Sequence, residues 1–364
     1  MTHQIFGDSE TIFGYRNLNV CLYYTASKLV PYFNVTFSET CSVDQHGVPP
    51  DNIEKTLSPE LPPGYLTNLD SFRCAISKEK NFKPYGQMID AYTVITKKGE
   101  EKQFEVYYLK IEEAGFREYH SRLQSFIKFY IDAASYIDVD DEQWDYFLLF
   151  ERYKDGGEVQ FAAAGYMTVY NFYAYPSRIR PRISQVLVLP PFQKMGLGSK
   201  MIQTFYNMCY CRPEVLDITV EDPSENFQRV RDYVDAKNCQ NLDSFKPDQL
   251  LRGFSHEMIH EAQSKLKLSK LQARRVYEIL RLKATDQSNK DMYRAYRLDV
   301  KRRLNIPFLR NRRTYQKLEK TLNAEELSQT LGVMKNEQKF QYLENAFQEE
   351  LAAYKHVLER LATL

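Results

Sequence analysis

The chain has 364 residues, a formal net charge of +1, 43% hydrophobic residues and 27% charged residues. This length allows two or three domains with cores of their own, and the near-zero charge excludes a globally basic nucleic-acid-binding protein. Six cysteines without a CxxC pair favour reduced thiols over a disulfide framework. No apolar run reaches the length of a membrane span.

Residues 1–116 are predicted to form a β-rich domain. β-branched and aromatic residues cluster there in short runs, and Lys97-Lys98-Gly99 separates two of these runs as a hairpin turn would. The predicted strands are 20–24, 31–37, 91–95 and 104–108.

Residues 117–225 are predicted to mix helix and strand. Apolar residues recur with helical spacing from Leu123 to Ala134, which predicts a helix over 117–135. An acidic loop at 138–142 follows this helix. The turn Asp155-Gly156-Gly157 then separates two strands, which are predicted at 146–150 and 161–173.

Residues 226–285 are predicted to form a helical domain, and residues 286–364 a charged helical tail. Apolar periodicity supports this interpretation, and Pro307 breaks the pattern. The predicted helices are 226–236, 255–267, 270–283, 290–304 and 324–364. The predicted fold class is therefore α+β (mixed α/β), with a β-rich N-terminal domain and a helical C-terminal domain.

A glycine loop between two apolar strands is the most informative segment. Residues 186–189 are apolar on both faces, as in a central strand, and Gln193-x-x-Gly196-x-Gly198 follows. Glycines let the backbone approach a ligand, and amides at the next helix start favour an anion. The loop lacks the first glycine of the dinucleotide fingerprint and the Lys-Ser/Thr of a Walker loop. Two interpretations of the segment therefore stay open: another kind of phosphate-binding loop, or a strand-to-helix turn that binds no ligand.

The loop fits the Gln/Arg-x-x-Gly-x-Gly/Ala pattern of the GCN5-related acetyltransferases. Four further segments occur with it in order, and together they resemble the catalytic subunits of type B histone acetyltransferases over nearly the whole chain. These segments are 137–144, 165–171, 215–224 and 273–282.

This resemblance implies that the central domain has the GCN5-related acetyltransferase fold, with acetyl-CoA as co-substrate and no metal. It also implies that the backbone of Val186, Leu187 and Val188 pairs with the pantetheine arm, while the loop binds the pyrophosphate. The loop residues expected to bind acetyl-CoA are Gln193, Lys194, Met195, Gly196, Leu197, Gly198 and Ser199.

Acetyl transfer to lysine needs a base, because the unperturbed lysine pKa is about 10.4. Glu221 and Asp222 end a buried strand. The family has its general base at the Glu of this Glu-Asp-Pro, which makes Glu221 the base and Asp222 a supporting acid. The family also uses a carboxylate, usually Glu, at the position of Asp132, where a bridging water can compensate for the shorter side chain. Without the resemblance, Glu221-Asp222 also fits N-capping of the helix predicted from Asn226.

The resemblance implies that the substrate is the histone H4 tail, for which an acidic groove is expected. The acidic loop is one candidate for that groove, and a solvated loop is the alternative. Asp145 and the N-terminal Asp8 and Glu10 are further candidates for the groove. The positions expected to contact the tail are Asp8, Ser9, Glu10, Trp144, Tyr170, Asn171 and Phe172.

The resemblance also implies a WD-repeat histone-binding chaperone as partner, and the nucleus and cytoplasm as location. Neither a membrane nor direct nucleic-acid binding is expected. In the family, the chaperone contact involves a helical segment that precedes the motif beginning here at His3.

Three other interpretations compete with this one. His256-Glu257-Met258-Ile259-His260 matches the zinc-protease pattern H-E-x-x-H, with Glu278 as a third ligand, but its polar flanks favour a surface helix. A histone-binding module that lost its base is disfavoured by the intact loop and Glu221-Asp222. The basic run at 301–313 fits a localisation signal and a solvated helix face equally well.

Overall fold

The computed structural model describes residues 5–42, 47–62, 64–131, 135–311 and 336–363. It contains two compact units, Met1–Phe205 and Tyr206–Leu364. Helices and strands are both abundant, which confirms the α+β class. The finer division at 116, 225 and 285 stays a prediction. Within the described ranges, no helix is long and apolar enough to cross a bilayer.

The first unit begins with two small antiparallel sheets around a small core. β1 pairs with β4, and β2 pairs with β3, so the strands predicted at 20–24 and 31–37 are confirmed. The core consists of Phe33, Ile53, Leu57 and Leu61. The elements are β1 (Tyr15–Arg16), β2 (Asn19–Tyr24), β3 (Pro31–Thr36), β4 (Glu39–Thr40), α1 (Ile53–Leu57) and α2 (Leu69–Ser77).

An antiparallel meander forms the main sheet of this unit. Each strand pairs with the next along the chain, and both predicted hairpins are confirmed. Gly156 and Gly157 adopt φ values of 57° and 88° between two of these strands, a conformation that costs glycine little. The strands are β5 (Gln87–Ile95), β6 (Glu101–Leu109), β7 (Trp144–Asp155), β8 (Glu158–Ala174) and β9 (Arg178–Val188).

One helix covers each face of the sheet. α3 (Phe116–Tyr130) packs its apolar side on Tyr146, Leu148 and Leu187. α4 (Leu197–Tyr210) begins on the other face, where the rings of Phe205 and Phe147 are 5.4 Å apart. The two helices contact different residues of β7, because successive side chains point to opposite sides of a strand. The helix predicted over 117–135 is thus confirmed up to Tyr130, and residues 132–134 lie outside the described ranges.

His120 of α3 is fully buried against aromatic rings. Its ring centroid lies 5.6 Å from that of Phe116 and 4.9 Å from that of Tyr146. Burial lowers the pKa of His120 to about 4, because desolvation disfavours the charged imidazolium. The histidine is therefore neutral at physiological pH.

We expect the stability of the first unit to fall on mild acidification because of His120. Between the lowered pKa and the unfolded value of about 6.5, the unfolded chain binds more protons, so stability is lost as the pH falls through this window. The predicted contribution to the loss between pH 7 and pH 5 is about 2 kcal/mol. Urea unfolding followed by the fluorescence of Trp144, the single tryptophan, measures it.

The matched variants are His120→Gln, which cannot titrate, and His356→Gln at an exposed histidine. His120→Gln should flatten the pH dependence of the free energy of unfolding. His356→Gln should leave that dependence as in the wild type. An unchanged slope in His120→Gln would contradict the assignment.

The second unit is mainly helical. The four helices predicted between residues 226 and 304 are confirmed within a few residues, while the six-residue helix α6 was not predicted. The elements are β10 (Thr219–Val220), α5 (Glu225–Cys239), α6 (Pro247–Arg252), α7 (His256–Leu266), α8 (Lys270–Ala284), α9 (Lys290–Leu304) and α10 (Asn336–Ala362).

An ion-pair network joins α8, α9 and α10. The buried Glu278 accepts two hydrogen bonds from Arg303, at 2.8 and 2.9 Å, and one from the Tyr354 hydroxyl at 2.9 Å. Arg303 also reaches Glu350 at 2.9 Å, and Lys301 pairs with Glu344. Two cations of the predicted basic run therefore hold α10, and neither is part of a purely solvated face. Arg312 and Arg313 lie outside the described residues.

Candidate active site

The glycine loop connects β9 to α4 with a fixed backbone shape. Gln193 turns back to the end of β9, and its Nε2 donates to the Val188 carbonyl at 2.9 Å. Lys194 and Gly196 both adopt positive φ, 62° and 78°. The Ser199 hydroxyl donates to the Gly196 carbonyl at 2.7 Å. The loop is thereby closed by its own side chains before the helix starts.

The open space beside this loop is where the resemblance predicts the pyrophosphate of acetyl-CoA. A Cβ placed on Gly196 would meet a single described atom within 4 Å, the Ser199 Oγ at 3.9 Å. α4 begins at Leu197, and the first N–H groups of a helix have no acceptor within it and attract anions. Lys194 and Lys200 are exposed cations of the same segment. These residues would hold the diphosphate.

β8 passes very close to β9 at Gly165. A Cβ there would lie 2.4 Å from the Leu187 oxygen and 3.1 Å from the Val188 Cα, so a larger residue would force the strands apart. Beyond this point the Leu189 N–H donates to the Ala164 oxygen at 2.9 Å. The strand segment predicted to contact the pantetheine arm is therefore held by β8 up to the loop.

Three of the predicted tail-contact residues form a row of rings at the adjoining ends of β7 and β8. Trp144 lies directly opposite Tyr170, with ring centroids 4.9 Å apart, and Tyr170 lies 4.5 Å from Phe172. The Arg182 guanidinium lies 4.5 Å above Phe172. Sequence reasoning missed Arg182, although its position opposite Tyr170 follows from the hairpin alignment. This row is partly exposed and is called the aromatic row below.

The acidic loop lies next to the aromatic row. The Tyr170 hydroxyl donates to Asp141 at 2.8 Å, and this bond raises the pKa of Tyr170. Asp140 pairs with Arg117 at 2.8 Å. Asp138 and Asp140 are exposed. The acidic loop is therefore a charged surface, and the Asp141 carboxylate connects it to the aromatic row by a hydrogen bond.

Asp145 and Asn171 are buried supports of this loop. Asn171 donates to the Asp145 carboxylate at 2.6 Å and to the Gln143 carbonyl at 3.1 Å. Lys110 and the Tyr108 hydroxyl also reach Asp145, at 2.8 and 2.9 Å. The expectation that Asp145 lines an acidic groove is wrong, because its carboxylate is 3% exposed and already surrounded by donors.

The predicted base lies in the second unit, in the turn between β10 and α5. Glu221 and Asp222 are both exposed, and Asp222 adopts φ 31°, where Pro223 follows. Ser224 caps α5, since its side chain accepts from the Phe227 N–H at 3.3 Å. The alternative role of Glu221-Asp222 as the helix cap is therefore wrong.

The remaining predicted site residues fall elsewhere. Asp8, Ser9 and Glu10 form an exposed turn in the part of the first unit built around the small core. Glu10 donates its N–H to the Gly7 carbonyl at 3.0 Å. Asp132 lies outside the described residues.

The H-E-x-x-H segment lies on the surface helix α7, beside a cleft of about 580 Å³. His256 and His260 are exposed, while Met258 and Ala262 face the core. Glu278, the suggested third zinc ligand, is fully buried and bound by Arg274, Arg303 and Tyr354. In the described ranges, no group of three or more His, Cys, Asp or Glu residues is arranged to hold a metal.

The antiparallel meander, the closed Gln-x-x-Gly-x-Gly loop and the helix that follows it agree with the arrangement expected from the resemblance to GCN5-related acetyltransferases. Residues 1–132 match the family model described as "Histone acetyl transferase HAT1 N-terminus". Residues 231–282 match "Histone acetyltransferase type B catalytic subunit, C-terminal".

Whole-length relatives agree with these matches. The chain is 45% identical to the histone acetyltransferase type B catalytic subunit of Homo sapiens, over 99% of this chain and 86% of that protein. Identity to the Mus musculus protein of the same name is 46%, over 99% and 87%. A Cryptococcus neoformans relative is 32% identical over 83% and 80%. The chain belongs to the family of histone acetyltransferase type B catalytic subunits. It is therefore an acetyltransferase, and acetyl-CoA is the donor that this implies.

Proposed function

We propose that the chain transfers acetyl from acetyl-CoA to lysine side chains of the newly synthesised histone H4 tail. The transfer is a direct attack within a ternary complex, with Glu221 as general base. The observation that carries the proposal is the closed loop from Gln193 to Ser199, in a chain that belongs to a family of histone acetyltransferases.

Each step of this reaction has a candidate group in the chain. The loop and the start of α4 hold the diphosphate, and the backbone of residues 186–188 aligns the pantetheine arm. An N–H at or near Val188 stabilises the negative charge that develops on the thioester oxygen. Glu221 removes the proton from the lysine ammonium, and Asp222 supports it.

The aromatic row and the acidic loop form the proposed contact for the tail. A ring such as Trp144 can pack on a lysine stem or on a glycine-rich backbone, and a cation near its face gains further attraction. Asp138, Asp140 and Glu142 add exposed negative charge beside it. Asp8, Ser9, Glu10, Asn171 and Asp132 keep their proposed roles from the family resemblance.

The proposal includes a setting for the reaction. We propose that the enzyme acts in the nucleus and the cytoplasm and has a role in histone deposition and chromatin assembly. A WD-repeat histone-binding chaperone is its proposed partner. These points rest on the family to which the chain belongs.

The test is acetyl transfer to an H4 tail peptide, with the modified lysines mapped by mass spectrometry. A version with every lysine replaced by arginine keeps the charge and removes the acceptor. A peptide of scrambled sequence keeps the composition. Transfer to the H4 peptide alone supports the proposal, and equal transfer to the scrambled peptide would refute the proposed substrate.

Neutralising the acidic loop should weaken peptide binding in a salt-dependent way. In the variant Asp138→Asn, Asp140→Asn, Glu142→Gln, we expect a higher peptide KM, a flatter dependence of KM on ionic strength, and a largely unchanged kcat. Attraction of this kind is screened over about 8 Å at physiological salt. Asp141 is kept because it binds the Tyr170 hydroxyl.

The matched control removes three exposed carboxylates elsewhere: Glu100→Gln, Asp155→Asn, Glu158→Gln. Its KM should keep the wild-type salt dependence. Trp144→Ala should raise KM at every ionic strength, because it acts by contact. If loop neutralisation leaves the salt dependence unchanged, the loop is only a solvated surface.

A further inference from the structure

The chain that leads through β10 to Glu221 is held by two hydrogen bonds at Ile218. Ile218 is fully buried, and its N–H donates to the Lys267 carbonyl at 2.7 Å. Its own carbonyl accepts from Nη2 of Arg231 at 3.0 Å. Ile218 is three residues ahead of Glu221, so these two bonds fix the start of the segment that ends in the proposed base.

Arg231 is a buried cation with a dedicated counter-ion. Its side chain is 7% exposed, and its Nε lies 3.4 Å from the Asp235 carboxylate one helical turn later. Burying a guanidinium is costly unless it is paired, so its presence here is informative. A neutral side chain could fill the space that Arg231 occupies. A long hydrogen-bond donor is needed to reach the Ile218 carbonyl from the second turn of α5.

Asp235, the carboxylate paired with Arg231, is itself held by a neighbouring helix. Gln272 of α8 donates from Nε2 to Asp235 at 2.8 Å and to Asp232 at 3.0 Å. Arg275 donates to Asp232 at 2.7 Å. The carboxylate that holds Arg231 is therefore anchored to a neighbouring helix and does not move with the turn.

The hydrogen bond between Arg231 and the Ile218 carbonyl closes a loop of the chain. Arg231 comes thirteen residues after Ile218, and the chain between them contains β10, the Glu221-Asp222 turn and the start of α5. Asp222 at positive φ and the capping Ser224 leave this turn little freedom. A shift of the Ile218 carbonyl would thus be transmitted to Glu221.

We propose that Arg231 is a positioning residue, which sets the place of Glu221 through its hydrogen bond to the Ile218 carbonyl. The inference rests on the proposed role of Glu221 as general base. A general base must lie within hydrogen-bond reach of the proton it removes, and a displacement of about 1 Å costs about a hundred-fold in rate.

The main test replaces Arg231 with methionine, which keeps an apolar stem and removes the donor. We expect kcat on the H4 peptide to fall by about ten- to hundred-fold, with little change in the KM for acetyl-CoA. The residual kcat should rise more steeply with pH than in the wild type, because more lysine is then deprotonated without help. Arg231→Lys, which keeps a donor, should restore much of the rate.

Two controls separate positioning from loss of structure. Active enzyme is counted by acetyl-CoA titration, so a misfolded fraction does not lower the measured kcat. Arg229→Met changes an exposed arginine of the same helix and should behave as the wild type. If Arg231→Met does not fold, Arg231→Gln and Asp235→Asn carry the same test.

A double variant distinguishes the two proposals. If Arg231 acts through Glu221, adding Arg231→Met to Glu221→Gln should cause no further loss of kcat. A full multiplicative loss, or a wild-type pH profile in Arg231→Met, would overturn the positioning role while Glu221 remains the base. A near wild-type kcat in Glu221→Gln alone would instead overturn the proposed base.

Discussion

Replacing Glu221 with glutamine is expected to lower kcat at neutral pH by about 10²–10⁴ while the affinity for acetyl-CoA stays nearly constant. The variant keeps the size of the side chain and loses the carboxylate that is proposed to accept the lysine proton. Raising the pH should restore part of the rate, because a larger share of the lysine is then neutral. Steady-state kinetics over a range of pH, with acetyl-CoA affinity from calorimetry, measure both effects.

Glu225→Gln is the matched control for this experiment. Glu225 follows the same turn in the first turn of α5, and its carboxylate is 88% exposed and paired with Arg229. Its loss should change kcat little, since exposed ion pairs contribute little energy. A wild-type kcat in Glu221→Gln, or an equal loss in both variants, would refute the assignment of the base.

Gly196→Val is expected to weaken acetyl-CoA binding by more than about ten-fold, while binding of the histone peptide persists. The new side chain would occupy the open space beside the loop. A β-branched residue at a φ of 78° also adds backbone strain of order 1–3 kcal/mol, which lowers the stability of the fold. The loss of affinity is expected from the steric conflict with the ligand, and a conflict of about 1.4 kcal/mol already corresponds to ten-fold in Kd. Calorimetric titration with acetyl-CoA and with peptide measures the two affinities.

Gly99→Val controls for the strain alone. Gly99 has a φ of 81° in the turn between β5 and β6, and a Cβ there meets no described atom within 4 Å. This variant should lose stability to a similar extent and retain acetyl-CoA affinity. If Gly196→Val binds acetyl-CoA as tightly as Gly99→Val does, the loop is not the diphosphate site.

The sheet and most of the helices were predictable because the local signals agree with one another. Lys97-Lys98-Gly99 and Asp155-Gly156-Gly157 separate β-rich runs, and both became hairpin turns. α6 was missed because six residues are too few for helical periodicity to be detected. The position of the glycine loop between a strand and a helix was predictable in the same way, since its glycines follow an apolar strand directly.

The supports of the site were not predictable from local pattern, because they join distant parts of the chain. The Glu278 network connects residues 25 and 76 positions apart. The bond from Arg231 to Ile218 depends on how α5 packs back on its own entry strand. The burial of Asp145 could have been predicted. Side chains alternate along β7, so Asp145 points to the opposite face of the sheet from Trp144.

The absence of a side chain at residue 165 also favours the observed register of β8 and β9 over its neighbours. Shifting the two strands by one position would bring Ala164 or Tyr166 to the place where a Cβ lies 2.4 Å from a carbonyl oxygen. Such a slip would also exchange the faces of every residue on β9. Steric exclusion at this one glycine thus disfavours a one-residue slip between β8 and β9.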